Sequence, residues 1–116
     1  MSKSALIVDD DEMTIMCLKN FLKKSGFTPD AVANGQDAID KLKNNSFDLI
    51  LIDFNLPDME GEQVLSKIKE NGGKYGKSVL MSGDENLKET FGNKGFDFFI
   101  HKPIKKNEFT ELASKF

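Results

Sequence analysis

The chain has 116 residues, 39% of them hydrophobic and 30% charged, which fits one soluble globular domain and leaves no room for two. A net charge of −3 argues against a nucleic-acid binder. All 16 basic residues are lysines, so guanidinium recognition of phosphate or guanine is excluded as well.

The single cysteine, Cys17, cannot form an internal disulfide or a thiolate metal site by itself. Its neighbours Met16, Leu18, Phe21 and Leu22 predict a small apolar filler. The N-terminal stretch MSKSALIVDD lacks the pattern of a signal peptide, and no apolar run has the length of a membrane span. A reducing, cytoplasmic setting is expected.

Apolar runs alternate with amphipathic stretches along the chain. Ala5 to Val8 is a short apolar run cut off by acids and predicts a buried strand. Residues 12–25 follow with Met13, Met16, Cys17, Phe21 and Leu22 near helical spacing, and Ser25-Gly26 ends them. Phe27 to Ala33 is a weaker strand. Asn34-Gly35 marks a turn. Gln36 to Asn45 carries Ala38, Ile39 and Leu42 on one helical face. Phe47 to Ile52 is the most apolar strand and stops at Asp53. Phe54 to Gly61 is a loop. Gln63 to Glu70 places Val64, Leu65 and Ile68 on one face, and Asn71-Gly72-Gly73 terminates that helix. Ser78 to Met81 predicts a short strand, with Asp84 a cap for the helix after it. Phe96 to Ile100 is the last strand and Lys105 to Phe116 the last helix. Phe91, Phe96, Phe98, Phe99 and Phe109 are expected mostly in the core, and strand alternation turns either Phe98 or Phe99 outward, toward a partner.

Five strands alternating with five helices predict an α/β sandwich, a five-stranded parallel sheet with helices on both faces. Ligands in such folds lie beyond the carboxyl ends of the strands. The residues standing there are Asp9, Asp10, Asp11 and Glu12 after the first run, Asp53 after the third, Ser82 after the fourth and Lys102-Pro103 after the fifth. Clustered carboxylates repel one another and call for a counter-ion, and a hard divalent cation such as Mg²⁺ is the simplest. A hydroxyl and an ammonium group beside it suit the oxygens of a phosphoryl group, and a carboxylate can attack phosphorus to give an acyl phosphate. Each residue also has an ordinary reading. Asp11 and Glu12 fit a solvated helix start favoured by the helix dipole, Asp53 a strand-ending turn, Ser82 a cap and Lys102 a surface lysine. Their arrival together, at matching ends of four strands, is what favours a site.

The motifs Leu6-Ile-Val-Asp-Asp10, Asp53-Phe-Asn-Leu-Pro57 with Gly61 following, Met81-Ser82-Gly83 and Phe99-Ile-His-Lys-Pro103 resemble those of the receiver domains of two-component signalling. The resemblance runs from Ala5 to about Leu112 and implies a doubly wound (βα)5 flavodoxin-like fold. It implies Asp53 as phosphoacceptor and a Mg²⁺ or Mn²⁺ site made by Asp9, Asp10, Asp53 and the backbone carbonyl of Asn55, with Asp9 acting through water. It also implies Ser82 as a switch hydroxyl, Lys102 as a phosphoryl contact, Phe99 as a switch aromatic and a cis peptide before Pro103. A histidine kinase or histidine phosphotransfer protein would donate the phosphoryl group. An unknown downstream protein would read the face made by the fourth helix, fifth strand and fifth helix. No nucleic acid or membrane is expected as partner, and the domain would be a monomer or a phosphorylation-dependent dimer. Residues 1–116 are expected to be this one domain, without an output domain, catalysing only its own phosphorylation and dephosphorylation.

The segment from Ser82 to Lys102 is shorter than in many such domains, which predicts a short or irregular fourth helix. His101, the lone histidine, is expected to be structural or at the rim. Three other readings stay open. An aspartate-nucleophile phosphohydrolase would use Asp9 and Asp11, but Met13 fits it poorly and the chain lacks room for a substrate cap. A flavin or nucleotide module would need a Gly-rich phosphate loop where three acids stand. A degenerate receiver would serve only as an interaction module.

Overall fold

A computed structural model describes residues 3–116. Strands β1 (Lys3–Val8), β2 (Phe27–Val32), β3 (Phe47–Asp53), β4 (Tyr75–Ser82) and β5 (Phe98–His101) form one parallel sheet in the order β2-β1-β3-β4-β5. Helices α1 (Glu12–Lys24), α2 (Gly35–Asn44), α3 (Gly61–Glu70) and α4 (Lys106–Ala113) cover it. The order places β2 at one edge, where Pro29, lacking an N–H, does no harm to the sheet.

Alternate side chains of the central strands feed two separate cores. Leu6, Val8, Ile50, Ile52 and Leu80 pack with Ala38 and Leu42 of α2 and Val64 and Ile68 of α3. Ala5, Ile7, Leu49, Leu51, Val79 and Met81 pack with Leu18 and Leu22 of α1 and Phe109 of α4. Burial on both faces is why these strands read as nearly unbroken apolar runs.

The fold departs from the expected one in four places. There are four α-helices among the described residues, not five. The fourth helix is irregular, as the short Ser82–Lys102 segment predicts: between β4 and β5 stand two 3-10 turns, Glu85–Lys88 and Phe91–Lys94, held by i→i+3 bonds such as Asn93 N–H to Thr90 C=O at 3.0 Å. Thr90, Gly92, Asn93 and Gly95 are weak helix formers, and Gly95 takes φ +93. Asp84 does cap the first turn, accepting from Asn86 N–H at 3.0 Å. The last helix is also shorter than expected, ending at Ala113.

Helix α1 carries two apolar stripes, and the buried one includes Leu18 and Leu22 with Ile15 and Phe21 partly covered. Met13 and Met16 are 68% and 67% exposed, and Cys17 lies on the surface with them instead of filling a core. Asp11 caps α1, its side chain accepting the Met13 N–H, and the stripe that meets the sheet is the one packed on Ala5, Ile7 and Leu49. Neither Phe98 nor Phe99 is fully exposed; each is half-buried, on opposite faces of the sheet. Phe98 packs on Phe116 with ring centres 5.4 Å apart, and Phe99 stacks on Phe91 at 6.1 Å. A sheet covered on both faces gives both alternating side chains a core to join.

Candidate functional site

The carboxyl ends of β1, β3, β4 and β5 meet at one edge of the sandwich. Asp9 follows β1, Asp53 ends β3, Ser82 ends β4, and Lys102 follows β5. The register is parallel throughout, pairing Val8 with Ile52, Asp53 with Met81 and Ser82 with His101, so the chemistry-bearing residues arrive level with one another.

Asp9 is fully buried. Its Oδ1 accepts the Asp11 N–H at 2.9 Å, which fixes the turn into α1. Its Oδ2 accepts no hydrogen bond of regular geometry among the described residues and faces the Lys102 ammonium at 2.7 Å. Lys102 Nζ also lies 3.1 Å from Asp53 Oδ1, so one ammonium bridges two buried carboxylates. Asp10 is exposed, and one carboxylate oxygen from each of Asp9, Asp10 and Asp53 falls within 4.8 Å of the others. Burial pushes the Asp53 carboxyl above the usual carboxylate range; Lys102 opposes this, while Asp9 and Asp10 reinforce it. Burial pulls the Lys102 ammonium down, but the carboxylates of Asp9 and Asp53 outweigh it and leave the group above its ordinary value.

Ser82 is buried beside this cluster. Its hydroxyl oxygen accepts the Asp84 N–H at 3.0 Å, and its carbonyl accepts the Lys102 N–H at 2.8 Å. Among the described residues its hydroxyl makes no hydrogen bond to Asp53. The Lys102–Pro103 peptide is cis. Phe99 stands three residues before Lys102, half-buried against the core that holds α2 and α3. His101 Nε2 lies 3.2 Å from the Gly83 carbonyl, a rim contact that requires the proton on Nε2. Asp11 and Glu12 belong to the start of α1, Asp11 accepting Met13 N–H at 3.3 Å and the Thr14 hydroxyl at 2.7 Å.

The loop after Asp53 is held by backbone bonds within the motif already noted and by Asp58, whose role the sequence does not announce. Phe54 N–H bonds Met81 C=O at 2.9 Å, and Gly61 N–H returns to Phe54 C=O at 2.7 Å. Asn55, its side chain exposed, pairs with Glu60 across this loop. Asp58 reaches to the start of α2 and accepts Gly35 N–H at 2.8 Å and Gln36 N–H at 2.9 Å. That cap comes from 22 residues away in sequence, so no local spacing announces it. Gly61 is obligatory for a different reason: a Cβ there would stand 2.6 Å from the Asp53 carbonyl oxygen.

Three clustered carboxylates, one buried oxygen without a regular hydrogen bond, and an adjacent ammonium make a donor set that fits a hard divalent cation. A family model for the response regulator receiver domain matches residues 5–114. The chain belongs to that family. It is 34% identical to the hybrid signal transduction histidine kinase L of Dictyostelium discoideum, over 96% of this chain and 7% of that protein. It is 32% identical to the transcriptional regulatory protein SrrA of Staphylococcus aureus, over 93% of this chain and 45% of that protein. The receiver domain thus spans less than half the length of either curated relative. A CheY-like response regulator receiver domain from Methylobacillus flagellatus superposes with a TM-score of 0.84 at 29% identity, covering 99% of this chain and 98% of that one. Receiver domains are phosphorylation-activated signalling switches, and they bind Mg²⁺ in the active site.

Proposed function

We propose that this receiver domain accepts a phosphoryl group on Asp53 from a phosphohistidine donor, in a Mg²⁺-dependent reaction, and signals through a partner protein. The donor is a histidine kinase or a histidine phosphotransfer protein. The observation that carries this reading is the Lys102 ammonium bridging Asp9 at 2.7 Å and Asp53 at 3.1 Å, inside a group of three carboxylates. The Asp11 N–H occupies only one oxygen of Asp9, and among the described residues Lys102 is the one ammonium set against the repulsion of the clustered acids.

Asp10, Asp53 and the Asn55 carbonyl would hold the Mg²⁺ or Mn²⁺ ion directly, and Asp9 through water. When bound, the ion would supply the positive charge that lets a phosphoryl group approach these acids. Asp53 contributes the nucleophile. One of its oxygens forms a P–O bond as the donor's P–N bond breaks, and the electron pair leaves on the imidazole nitrogen. Lys102 keeps its contact with Asp9 and turns its other donors to the phosphoryl oxygens. Ser82 already accepts from Asp84 and so has its own hydrogen to offer to the same oxygens. Phe99 then shifts against Phe91, and the face made by the 3-10 turns, β5 and α4 changes.

Incubation with acetyl phosphate and Mg²⁺ tests the acceptor. Intact-mass spectrometry is expected to show one added phosphoryl group on the wild type and none on Asp53→Asn. Unchanged labelling of that variant moves the acceptor elsewhere. An NMR titration with Mg²⁺ is expected to show weak binding that Asp10→Ala removes, and retained binding would displace Asp10 from the ligand set.

A further inference from the structure

The loop that follows Asp53 has two anchors. At its base Phe54 N–H bonds Met81 C=O at 2.9 Å, and Gly61 N–H bonds Phe54 C=O at 2.7 Å. At its tip stands Asp58, whose two carboxylate oxygens accept Gly35 N–H at 2.8 Å and Gln36 N–H at 2.9 Å in the first turn of α2. Met59 follows it onto the same helix start. A Cβ on Gly35 would stand 2.6 Å from Met59 Cγ, which measures how closely the loop lies on α2. Between the two anchors lies Asn55. The bonds on either side of it, Gly61 N–H to Phe54 C=O and Leu56 N–H to Met59 C=O, pair it with Glu60. They leave the Asn55 carbonyl without a hydrogen bond among the described residues.

The tip is otherwise weakly held. One backbone bond closes it from within, Leu56 N–H to Met59 C=O, and at 3.3 Å that bond is long. The two Asp58 bonds are shorter and charge-assisted. Helix α2 has a cap of its own in Asn34, whose Oδ1 accepts Asp37 N–H at 2.8 Å. We infer that Asp58 is a positioning residue for the metal site: by fastening the loop tip to α2 it holds the Asn55 carbonyl in place for a divalent cation. It does so from outside the cluster of Asp9, Asp10 and Asp53. The inference rests on the proposed ligand set, in which the Asn55 carbonyl joins Asp10 and Asp53. A loop that samples other positions can bind only part of the time, and its apparent affinity falls by that fraction. The coupling is reciprocal, so an ion held at Asn55 steadies the Asp58 bonds and with them the start of α2.

Mg²⁺ titrations of the whole domain, followed by NMR amide shifts, test this. Asp58→Ala should raise the Mg²⁺ Kd about three- to tenfold, at or below the low end of what outer partners of metal ligands contribute. Asp58→Asn keeps an acceptor oxygen but loses the charge, and should recover part of the affinity. Asn34→Ala weakens the same helix end through its local cap and should leave the Kd within about twofold of the wild type. Amide exchange gives a readout separate from phosphorylation. Mg²⁺ should slow exchange of Gly35 and Gln36 in the wild type, an arm that needs no variant to fold, and should not do so in Asp58→Ala. Equal Kd values for wild type and Asp58→Ala, or no slowing at Gly35 and Gln36 in the wild type, would overturn the inference. So would Asp58→Asn binding no better than Asp58→Ala, which assigns the loss to charge alone. An Asn34→Ala loss as large as that of Asp58→Ala would assign it to helix α2 and overturn the inference too. Asp10→Ala is titrated in parallel. Binding lost in Asp10→Ala but unchanged in Asp58→Ala removes this inference alone. Binding retained in Asp10→Ala removes the proposed ligand set, and this inference with it.

Discussion

Replacing Asp53 with asparagine should make the metal-free domain more stable while abolishing its phosphorylation. The magnitude follows from the charges around the residue. Asp53 is buried, with carboxylate oxygens of Asp9 and Asp10 within 4.8 Å and the Lys102 ammonium at 3.1 Å. At an effective dielectric near 20, each like-charge pair at that separation costs about 3.5 kcal/mol and the Lys102 contact returns about 5 kcal/mol. Two repulsions therefore exceed one attraction by about 1–2 kcal/mol, before any cost of burial is added. The Asp53→Asn amide keeps the shape and removes the charge, so the variant should gain about that amount, a rise in Tm of roughly 5 °C for a domain of this size. The gain has a defined pH dependence. The folded Asp53 carboxyl is held above its unfolded value, so its penalty is absent at low pH. The penalty sets in as pH rises through the ordinary carboxylate value of about 4 and is complete above the raised folded value. Urea unfolding in EDTA should show the variant ahead at about pH 7 and level with the wild type near pH 3. Mg²⁺ should narrow or reverse the order, since a ligand at one hundred times its Kd adds about 2.7 kcal/mol to the state that binds it. A variant no more stable than wild type at neutral pH without metal, or an advantage that persists in acid, would refute the reasoning.

Lys102→Met strips the only cation in contact with buried Asp9 among the described residues and should cost about 3–5 kcal/mol by urea unfolding without metal, the usual result of leaving a buried charge unpaired; a loss under about 1 kcal/mol would show that water reaches Asp9. Asp58→Ala removes the distant cap of α2 and should cost about 1 kcal/mol at neutral pH. Its carboxyl is held below the usual range, chiefly by Gly35 N–H, so the capping contribution is full above the ordinary value and is lost as pH falls through the lowered one. Wild type and variant should therefore converge in acid, and curves that stay parallel would assign the cap another origin. Gly61→Ala sets a Cβ 2.6 Å from the Asp53 carbonyl oxygen and should cost about 1–3 kcal/mol with a shift of the Asp53 amide resonance, whereas Gly83→Ala meets nothing within 4 Å and should change stability by less than about 0.5 kcal/mol.

The sequence by itself determined the α/β class, the parallel sheet and the set of residues at the strand ends. Apolar runs such as Phe47–Ile52 can satisfy both faces only inside a covered sheet, and a parallel sheet puts every following residue at the same edge. Asp9, Asp53, Ser82 and Lys102 were legible for that reason, and the motifs around them were specific enough to name the family. Only the tertiary structure decided which stripe of α1 is buried, because Met13-Met16-Cys17 and Ile15-Leu18-Leu22 have equally good helical spacing and the choice lies in which of them finds the sheet and α4 to pack on. It also decided that both Phe98 and Phe99 find cover and that the segment after Ser82 closes as two 3-10 turns, since cores and crossovers are shared among distant segments. The bridging position of Lys102 and the reach of Asp58 to α2 belong to the same class. They depend on distances between residues far apart in the chain, and a linear pattern carries periodicity and order but no distance.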